Sequence, residues 1–258
     1  MSNAIIFEVQ NGIGILRVNR PEARNALDTA ARTAFAQAIE TAAANTQLRV
    51  LIITGTGSAF VAGGDIRELA ERPSKEAGLQ LSRLMQDALA QLTTLSCPVI
   101  GAVNGTAAGG GVEILSACDL RIAKADANLR FVQVRMGLTS GWGGTARLVR
   151  LLGQSRATDL ILNGQVISAA EAHEFGFIHR LVPPKGDVLA AAQEWAEELL
   201  TLPQHALAAL KVLIHHAAQE SLPHAYEREN KHFLELYGEA DNREAINAFL
   251  EKRPPHFS

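Results

Sequence analysis

The chain has 258 residues, 47% hydrophobic and 20% charged, with a formal net charge of -3. That size suits one large domain or a core with an appendage, and the balance is that of an ordinary soluble globular protein. Without a long basic block there is no electrostatic footprint for nucleic-acid binding, and no apolar run approaches the roughly 20 residues that span a bilayer.

Met1-Ser2-Asn3-Ala4-Ile5 opens the chain without a basic segment ahead of an apolar one, so no secretion signal is read there. Ile5-Ile6-Phe7-Glu8-Val9 and Ile13-Gly14-Ile15-Leu16-Arg17-Val18 read as two strands of a hairpin turned at Asn11-Gly12. Asp28 is placed as the N-cap of a helix that carries Phe35 and Ile39 on one face. A strand over residues 49–54 follows, and strand, loop and helix then repeat through residue 120, with a further short strand at Leu120-Arg121-Ile122-Ala123. Such alternation predicts an α/β core. Cys97 and Cys118 are too few for a disulfide framework and lack zinc spacing; they read as small core hydrophobes in a reducing compartment, and the protein as cytoplasmic.

Past Pro183-Pro184 the character changes. Residues 187–202 are rich in Ala and Glu with helical periodicity up to Pro203, and helices are expected over 204–221, 222–237 and 242–250. Their apolar positions have no strands of their own to pack on, so they are expected to cover the core or a neighbouring subunit. An oligomer follows from that expectation.

Two glycine-rich segments carry the chemistry. Gly63-Gly64-Asp65 follows the apolar run Val50-Leu51-Ile52-Ile53-Thr54, and Gly109-Gly110-Gly111 follows Pro98-Val99-Ile100-Gly101-Ala102-Val103. Glycine lets main chain approach a ligand closely. Two free N–H groups aimed at one thioester oxygen would stabilise an enolate, the costly species in chemistry next to a carbonyl. Such a device leaves no Ser, His or Cys signature; ordinary turn glycines are the other reading of either segment alone.

Several ordered motifs then carry a resemblance that runs essentially end to end. They are Asn19-Arg20-Pro21-Glu22-Ala23-Arg24-Asn25-Ala26-Leu27, Gly57-Ser58-Ala59-Phe60-Val61-Ala62-Gly63-Gly64-Asp65-Ile66, Asn104-Gly105 with Gly109-Gly110-Gly111-Val112-Glu113, and Ala117-Cys118-Asp119. Gly143-Gly144-Thr145-Ala146-Arg147-Leu148, Ala169-Ala170-Glu171-Ala172 and Phe249-Leu250-Glu251-Lys252-Arg253 continue them. The chain resembles the crotonase superfamily, the enoyl-CoA hydratase/isomerase family. The resemblance implies a crotonase-like spiral of ββα units over residues 1–195, holding the active site, followed by an α-helical domain over 196–258 that builds trimers, often paired into hexamers. It implies an acyl-CoA thioester substrate, so coenzyme A enters as part of the substrate and no separate cofactor is expected. It places the two oxyanion donors on the N–H groups of Gly64 and Gly110, the second at a helix start where unpaired N–H groups and the dipole favour negative charge. It also puts Arg24 near the CoA phosphates, Ala62, Asp65 and Ile66 around the adenine, and Phe249 and Lys252 on a neighbouring subunit. Basic side chains suit phosphate; solvated surface charge is the other reading of Arg24 and Lys252.

Family hydratases use two glutamates for acid–base work. The first falls on Glu113, about one helical turn from Gly110 on the same face; an N3 cap is the other role open to it. The second position, counted back from Gly143-Gly144-Thr145, falls on Gln133, which can orient a water or a carboxylate but cannot exchange a proton near neutral pH. Leu138-Thr139-Ser140-Gly141-Trp142 stands where hydratases carry an Ile-Pro-Gly run, and Trp142 is read as a wall of the acyl pocket or as a packing residue. Phe131-Val132, Met136-Gly137 and Trp142-Gly143-Gly144-Thr145 resemble the methylmalonyl-/ethylmalonyl-CoA decarboxylase branch, which needs the same enolate but returns only one proton. Arg135 is a candidate to hold a substrate carboxylate, with a surface arginine as the other reading.

The expectation is a CoA-thioester lyase of the enoyl-CoA hydratase type. A decarboxylase and a single-glutamate isomerase stay open beside it, as does a catalytically idle acyl-CoA-binding subunit. His173-Glu174 with His179 lacks the HExxH spacing, His215-His216 are adjacent on a helix, no Walker lysine follows either glycine segment, and there is no GxSxG elbow. No metal is expected.

Overall fold

In the computed structural model, which describes residues 4–217 and 219–257, β1 (Ile5–Gln10) and β2 (Ile13–Val18) form the antiparallel hairpin. Asn11 and Gly12 turn it at φ 51° and 81°, the left-handed pair that such a turn requires. After a 3-10 turn at Pro21–Ala23, α1 (Thr29–Ala44) starts on Asp28, whose carboxylate accepts from the Ala31 N–H, and buries Phe35 and Ile39. Then come β3 (Val50–Gly55), α2 (Ile66–Glu71), α3 (Lys75–Thr93), β4 (Val99–Val103), β5 (Ala107–Ala108), α4 (Gly110–Ala117), β6 (Leu120–Lys124) and β7 (Asn128–Arg130). A second 3-10 turn at Gln133–Met136 leads to α5 (Gly144–Leu162), which breaks at Gly153. β8 (Val166–Ser168), α6 (Ala169–Glu174) and β9 (Arg180–Val182) close the strand-bearing part.

The strands make a six-stranded sheet ordered β1-β2-β3-β4-β6-β9, parallel except for the hairpin, and a three-stranded sheet ordered β5-β7-β8. β3 and β4 are buried along their whole length, as expected of parallel strands covered on both faces. Because side chains alternate along a strand, Leu51 and Ile53 point into a core shared with α1, α3 and α4, while Val50 and Ile52 point the other way with Ile100, Ala102 and Ile122.

α7 (Val188–Leu200) covers that second face with Val188, Ala192, Trp195 and Ala196. α7 thus covers the core, one of the two roles expected of the helices after Pro183-Pro184. β9 returns the chain to the sheet edge, and the apolar stripe of α7 then lies across strands built long before it. α8 (Gln204–Ala217), α9 (Leu222–Leu236) and α10 (Ala240–Glu251) follow. The helix expected over 204–221 is described over Gln204–Ala217, and residues 219–221 are not helical; Ala218 lies outside the described residues, as do residues 1–3 and Ser258. Lys211 pins α8 to the core: its buried ammonium pairs with Asp119 at 2.8 Å and donates to the Cys97 carbonyl at 2.9 Å. Leu210, Ile214, Phe233, Leu234, Phe249 and Leu250 stay exposed on these last helices.

Candidate active site

The stretches that leave β3 and β4 run side by side. Phe60 N–H donates to the Thr106 carbonyl and Ala108 N–H to the Val61 carbonyl, both at 2.9 Å, around a parallel bridge between Ala59 and Thr106. Two side-chain amides fix the register. Asn25, wholly buried, donates to the Ala59 carbonyl at 2.7 Å and to Thr56 at 3.0 Å; Asn104 donates to Ala59 at 2.9 Å and to Gly57 at 2.8 Å.

Farther along, Gly63 takes φ 92°, and a Cβ placed there would lie 3.0 Å from the Gly110 nitrogen. Only glycine lets the two segments close to that distance. Leu27 N–H donates to the Gly63 carbonyl at 2.8 Å, and the Leu27 carbonyl accepts from Asp65 N–H at 3.1 Å. Successive peptides of an extended chain face opposite sides, so the Gly64 N–H points away from Leu27. Gly110 is the first residue of α4, and its N–H belongs to the helix start, which has no intrahelical acceptor. Neither N–H has a hydrogen-bond acceptor among the described residues. Two such donors can stabilise one developing oxyanion.

One turn along α4 stands Glu113, 2% exposed. Its Oε2 accepts from the Trp142 and Gly144 N–H groups, each at 2.8 Å, and its Oε1 accepts from Gln133 Nε2 at 3.3 Å. The carboxylate therefore reaches across to the start of α5 rather than back to the start of its own helix, and the N3-cap reading does not hold. The Trp142 ring, 3% exposed, lies over Gly110 so closely that a Cβ at 110 would overlap it. Gly110, Glu113, Gln133 and Trp142 thus form one cluster, with Gly64 joined to it through the contact of Gly63 with Gly110.

Behind the cluster sits Arg147. Its Nε donates to Ser116 Oγ at 3.2 Å, its Nη2 donates to the Trp142 carbonyl, and Ser116 Oγ donates to the Glu113 carbonyl at 2.6 Å. Burial lowers the Arg147 pKa, and the Glu113 carboxylate opposes that shift. From α3, Ser82 Oγ and Gln86 Nε2 donate to the Gly141 carbonyl at 2.6 and 3.0 Å. The sequence reading missed this support. Its signals were the glycine pair at a helix start, Gly143-Gly144, and the three-residue spacings Glu113 to Ser116 and Gly144 to Arg147, which place partners on one helix face.

The remaining site residues spread outward. Asp65 caps α2 through the Arg67 N–H and meets Arg20 at 3.3 Å; Arg20 also pairs with Asp28 at 2.8 Å. Ala62, Asp65 and Ile66 flank the Gly63-Gly64 segment, with Ile66 exposed, and Arg24 is exposed at φ 52°. Phe249, 82% exposed, and Lys252 lie at the far end of α10, on the outside of the single chain. Arg135 is engaged elsewhere: its Nε donates to the Gly164 carbonyl at 2.8 Å and its Nη2 to Asn163 at 3.2 Å, holding the turn after α5. Cys97 and Cys118 are buried, and burial raises their thiol pKa values to about 11 and about 12, as inert core cysteines require. Among the described residues no group of His, Cys, Asp and Glu could hold a metal ion, and no helix is long and apolar enough to cross a membrane.

The profile of the Enoyl-CoA hydratase/isomerase family matches residues 8–258. The short-chain-enoyl-CoA hydratase of Clostridium acetobutylicum is 35% identical over 252 residues, 97% of this chain and 96% of the relative. The 2,3-dehydroadipyl-CoA hydratase of Escherichia coli is 33% identical over 253 residues, 98% of each chain. A crystal structure of an enoyl-CoA hydratase from Bacillus anthracis superposes with a TM-score of 0.93 at 32% identity, covering 99% of each chain. The chain belongs to the enoyl-CoA hydratase/isomerase family, within the crotonase superfamily, and its fold is the crotonase fold with a C-terminal helical region.

Proposed function

We propose that the protein is an acyl-CoA-processing lyase of the enoyl-CoA hydratase type, which holds a thioester enolate between the N–H groups of Gly64 and Gly110. The observation that supports this reading is a pair of amides without an acceptor among the described residues, on segments that meet where Gly63 approaches the Gly110 nitrogen, beside a buried glutamate. In hydration the water oxygen bonds to the β-carbon, the electron pair of the double bond moves onto the thioester as its enolate, and Glu113 takes a proton from the water. The same carboxyl then returns a proton to the α-carbon, so one glutamate closes the proton balance. Gln133 orients the water or the carboxylate, and Trp142 walls the acyl pocket. Arg24, Ala62, Asp65 and Ile66 contact coenzyme A, with Phe249 and Lys252 supplied by a neighbouring subunit of a trimer or hexamer. The exposed apolar side chains of α8 to α10 support such an assembly, and the buried thiols suit the cytoplasm.

Decarboxylation of a methylmalonyl- or ethylmalonyl-type CoA ester is the second reading, favoured by one observation: Glu113 faces an amide where a second carboxylate would stand. There the bond to the departing carboxylate breaks, CO2 leaves, the pair rests on the same enolate, and one proton goes to the α-carbon. An isomerase would use the same residues. The test is product formation from crotonyl-CoA beside methylmalonyl-CoA and ethylmalonyl-CoA, for the native protein and for Glu113→Gln. Hydration of crotonyl-CoA lost in a Glu113→Gln variant that still binds CoA esters supports the first reading. Turnover of the malonyl esters alone supports the second, and no turnover of any ester leaves an idle binding subunit.

A further inference from the structure

The Glu113 carboxylate has one open position. Oε2 accepts two main-chain N–H groups, which fills both of its lone pairs, and Oε1 accepts one from Gln133. The remaining lone pair on Oε1 is where this side chain can take a proton without giving up a bond. Its direction follows from where the Trp142 and Gly144 amides stand. The turn that carries them contains Gly141, Gly143 at φ 82° and Gly144, so it has little stiffness of its own.

We infer that Arg147 is a positioning residue for Glu113, because its guanidinium closes a hydrogen-bonded ring that starts and ends on that glutamate. The Glu113 carbonyl accepts from Ser116 Oγ, and Ser116 Oγ accepts from Arg147 Nε. Arg147 Nη2 donates to the Trp142 carbonyl, and the Trp142 N–H donates to Glu113 Oε2. Backbone and carboxylate of Glu113 are thereby tied to one rigid fork, which also sets a positive charge beside a buried negative one. A lysine ammonium has the charge but not the planar spread of donors needed to reach Ser116 and Trp142 together.

This inference rests on the reading of Glu113 as the proton-handling group, and its test keeps the two apart. With the CoA ester that the native protein turns over, kcat and KM are measured for Arg147→Ala, Arg147→Lys and Ser116→Ala, and for Arg147→Ala combined with Glu113→Gln. Arg147→Ala is expected to lower kcat by about 10- to 100-fold with KM little changed, since a displaced carboxylate harms the chemical step rather than binding. Added methylguanidinium should restore part of the rate, and the double variant should be no slower than Glu113→Gln alone. Folded Arg147→Ala and Ser116→Ala proteins with native kcat would overturn the inference. So would a loss that methylguanidinium leaves untouched and that adds in full to the loss from Glu113→Gln, because a merely structural cross-link behaves that way. Should Arg147→Ala fail to fold, Arg147→Lys and Ser116→Ala decide, and native kcat in both overturns the assignment. Native turnover in Glu113→Gln would instead sink the underlying reading, and that arm leaves Arg147 untouched.

Discussion

Gly144 stands against Glu113 with no room for a methyl group: its N–H donates to Oε2 at 2.8 Å, and a Cβ at 144 would fall 2.9 Å from both Oε2 and the carboxyl carbon. Gly144 opens α5 with helical backbone, so alanine there meets no conformational penalty and its whole effect is the contact. A Cβ at 144 would also lie 2.4 Å from Glu113 Cγ, so Gly144→Ala is expected to lose about 1–3 kcal/mol of stability from overpacking and still fold, with the Glu113 carboxylate pushed aside. A displacement on the order of 1 Å at a reacting group costs about 100-fold in rate. Steady-state kinetics beside a melting curve checks this; a native rate would mean that the position of Glu113 is not critical.

Lys211 makes a different kind of prediction, about stability alone. Its ammonium is buried between Asp119 and the Cys97 carbonyl, and Asp119 also accepts from the Val99 N–H that opens β4. Removing one partner of a fully buried pair costs about 3–5 kcal/mol. The Asp119 side chain keeps 30% of its exposure, so water relieves part of that cost, and Lys211→Met is expected to lower unfolding free energy by about 2–3 kcal/mol. Asp119→Asn should lose less, and the double variant less than the sum. Urea denaturation of all three proteins, in the assembled state, measures the coupling.

The central strands of the core were legible because β3 and β4 are continuous apolar runs, and such runs mark strands covered on both faces, whereas their order in the sheet was not. The hairpin at Asn11-Gly12 and the cap at Asp28 were legible for the same kind of local reason: one residue type fits one backbone geometry. The glycines of the site were legible as glycines, since Gly63 and Gly110 approach where no side chain fits. What stayed hidden was long-range pairing. Nothing near Glu113 in sequence says that its acceptors meet the amides of Trp142 and Gly144, or that Arg135 turns to the Gly164 carbonyl instead of toward a substrate. Local pattern also left open whether α7 covers the core or a neighbouring subunit, because the partners of its apolar stripe, Val50, Ile52, Ile100, Ala102 and Ile122, lie on strands far earlier in the chain.

His179 gives the pH dependence. Its Nδ1 accepts from the Arg121 N–H at 3.1 Å, and the ring packs edge-on against Trp195. Burial, and then the Arg121 guanidinium, push its pKa down from 6.5 to about 4. Between those values the unfolded chain binds the proton and the folded one does not, so the contribution of this ring is intact above pH 6.5 and is lost as pH falls toward 4. His179 is nevertheless exposed as a residue, so solvent screening reduces the effect. His179→Gln is expected to flatten the fall of the melting temperature between pH 6.5 and 4 without altering the rate at neutral pH; an unchanged slope would contradict the assignment.

Gln133 is where the hydratase reading can be pressed hardest. Its Nε2 donates to Glu113 Oε1 at 3.3 Å, so Gln133→Glu would set a second carboxyl group within hydrogen-bonding distance of the first. Two carboxylates that share a site cannot both ionise freely, and the pair keeps one proton to higher pH than a lone carboxylate would. One member then serves as base toward the water while the other serves as acid toward the α-carbon, instead of one group doing both in turn. If the absent acid is what limits hydration, the variant should hydrate crotonyl-CoA about 10-fold faster or more, within the range of a positioned general acid. Its rate should also acquire a new limb, falling as pH rises through the apparent pKa of the pair. A folded variant with neither the gain nor the new limb, yet with undiminished turnover of a malonyl-type ester, would turn the argument toward decarboxylation, in which the enolate forms without any base and an amide beside Glu113 is all the site requires.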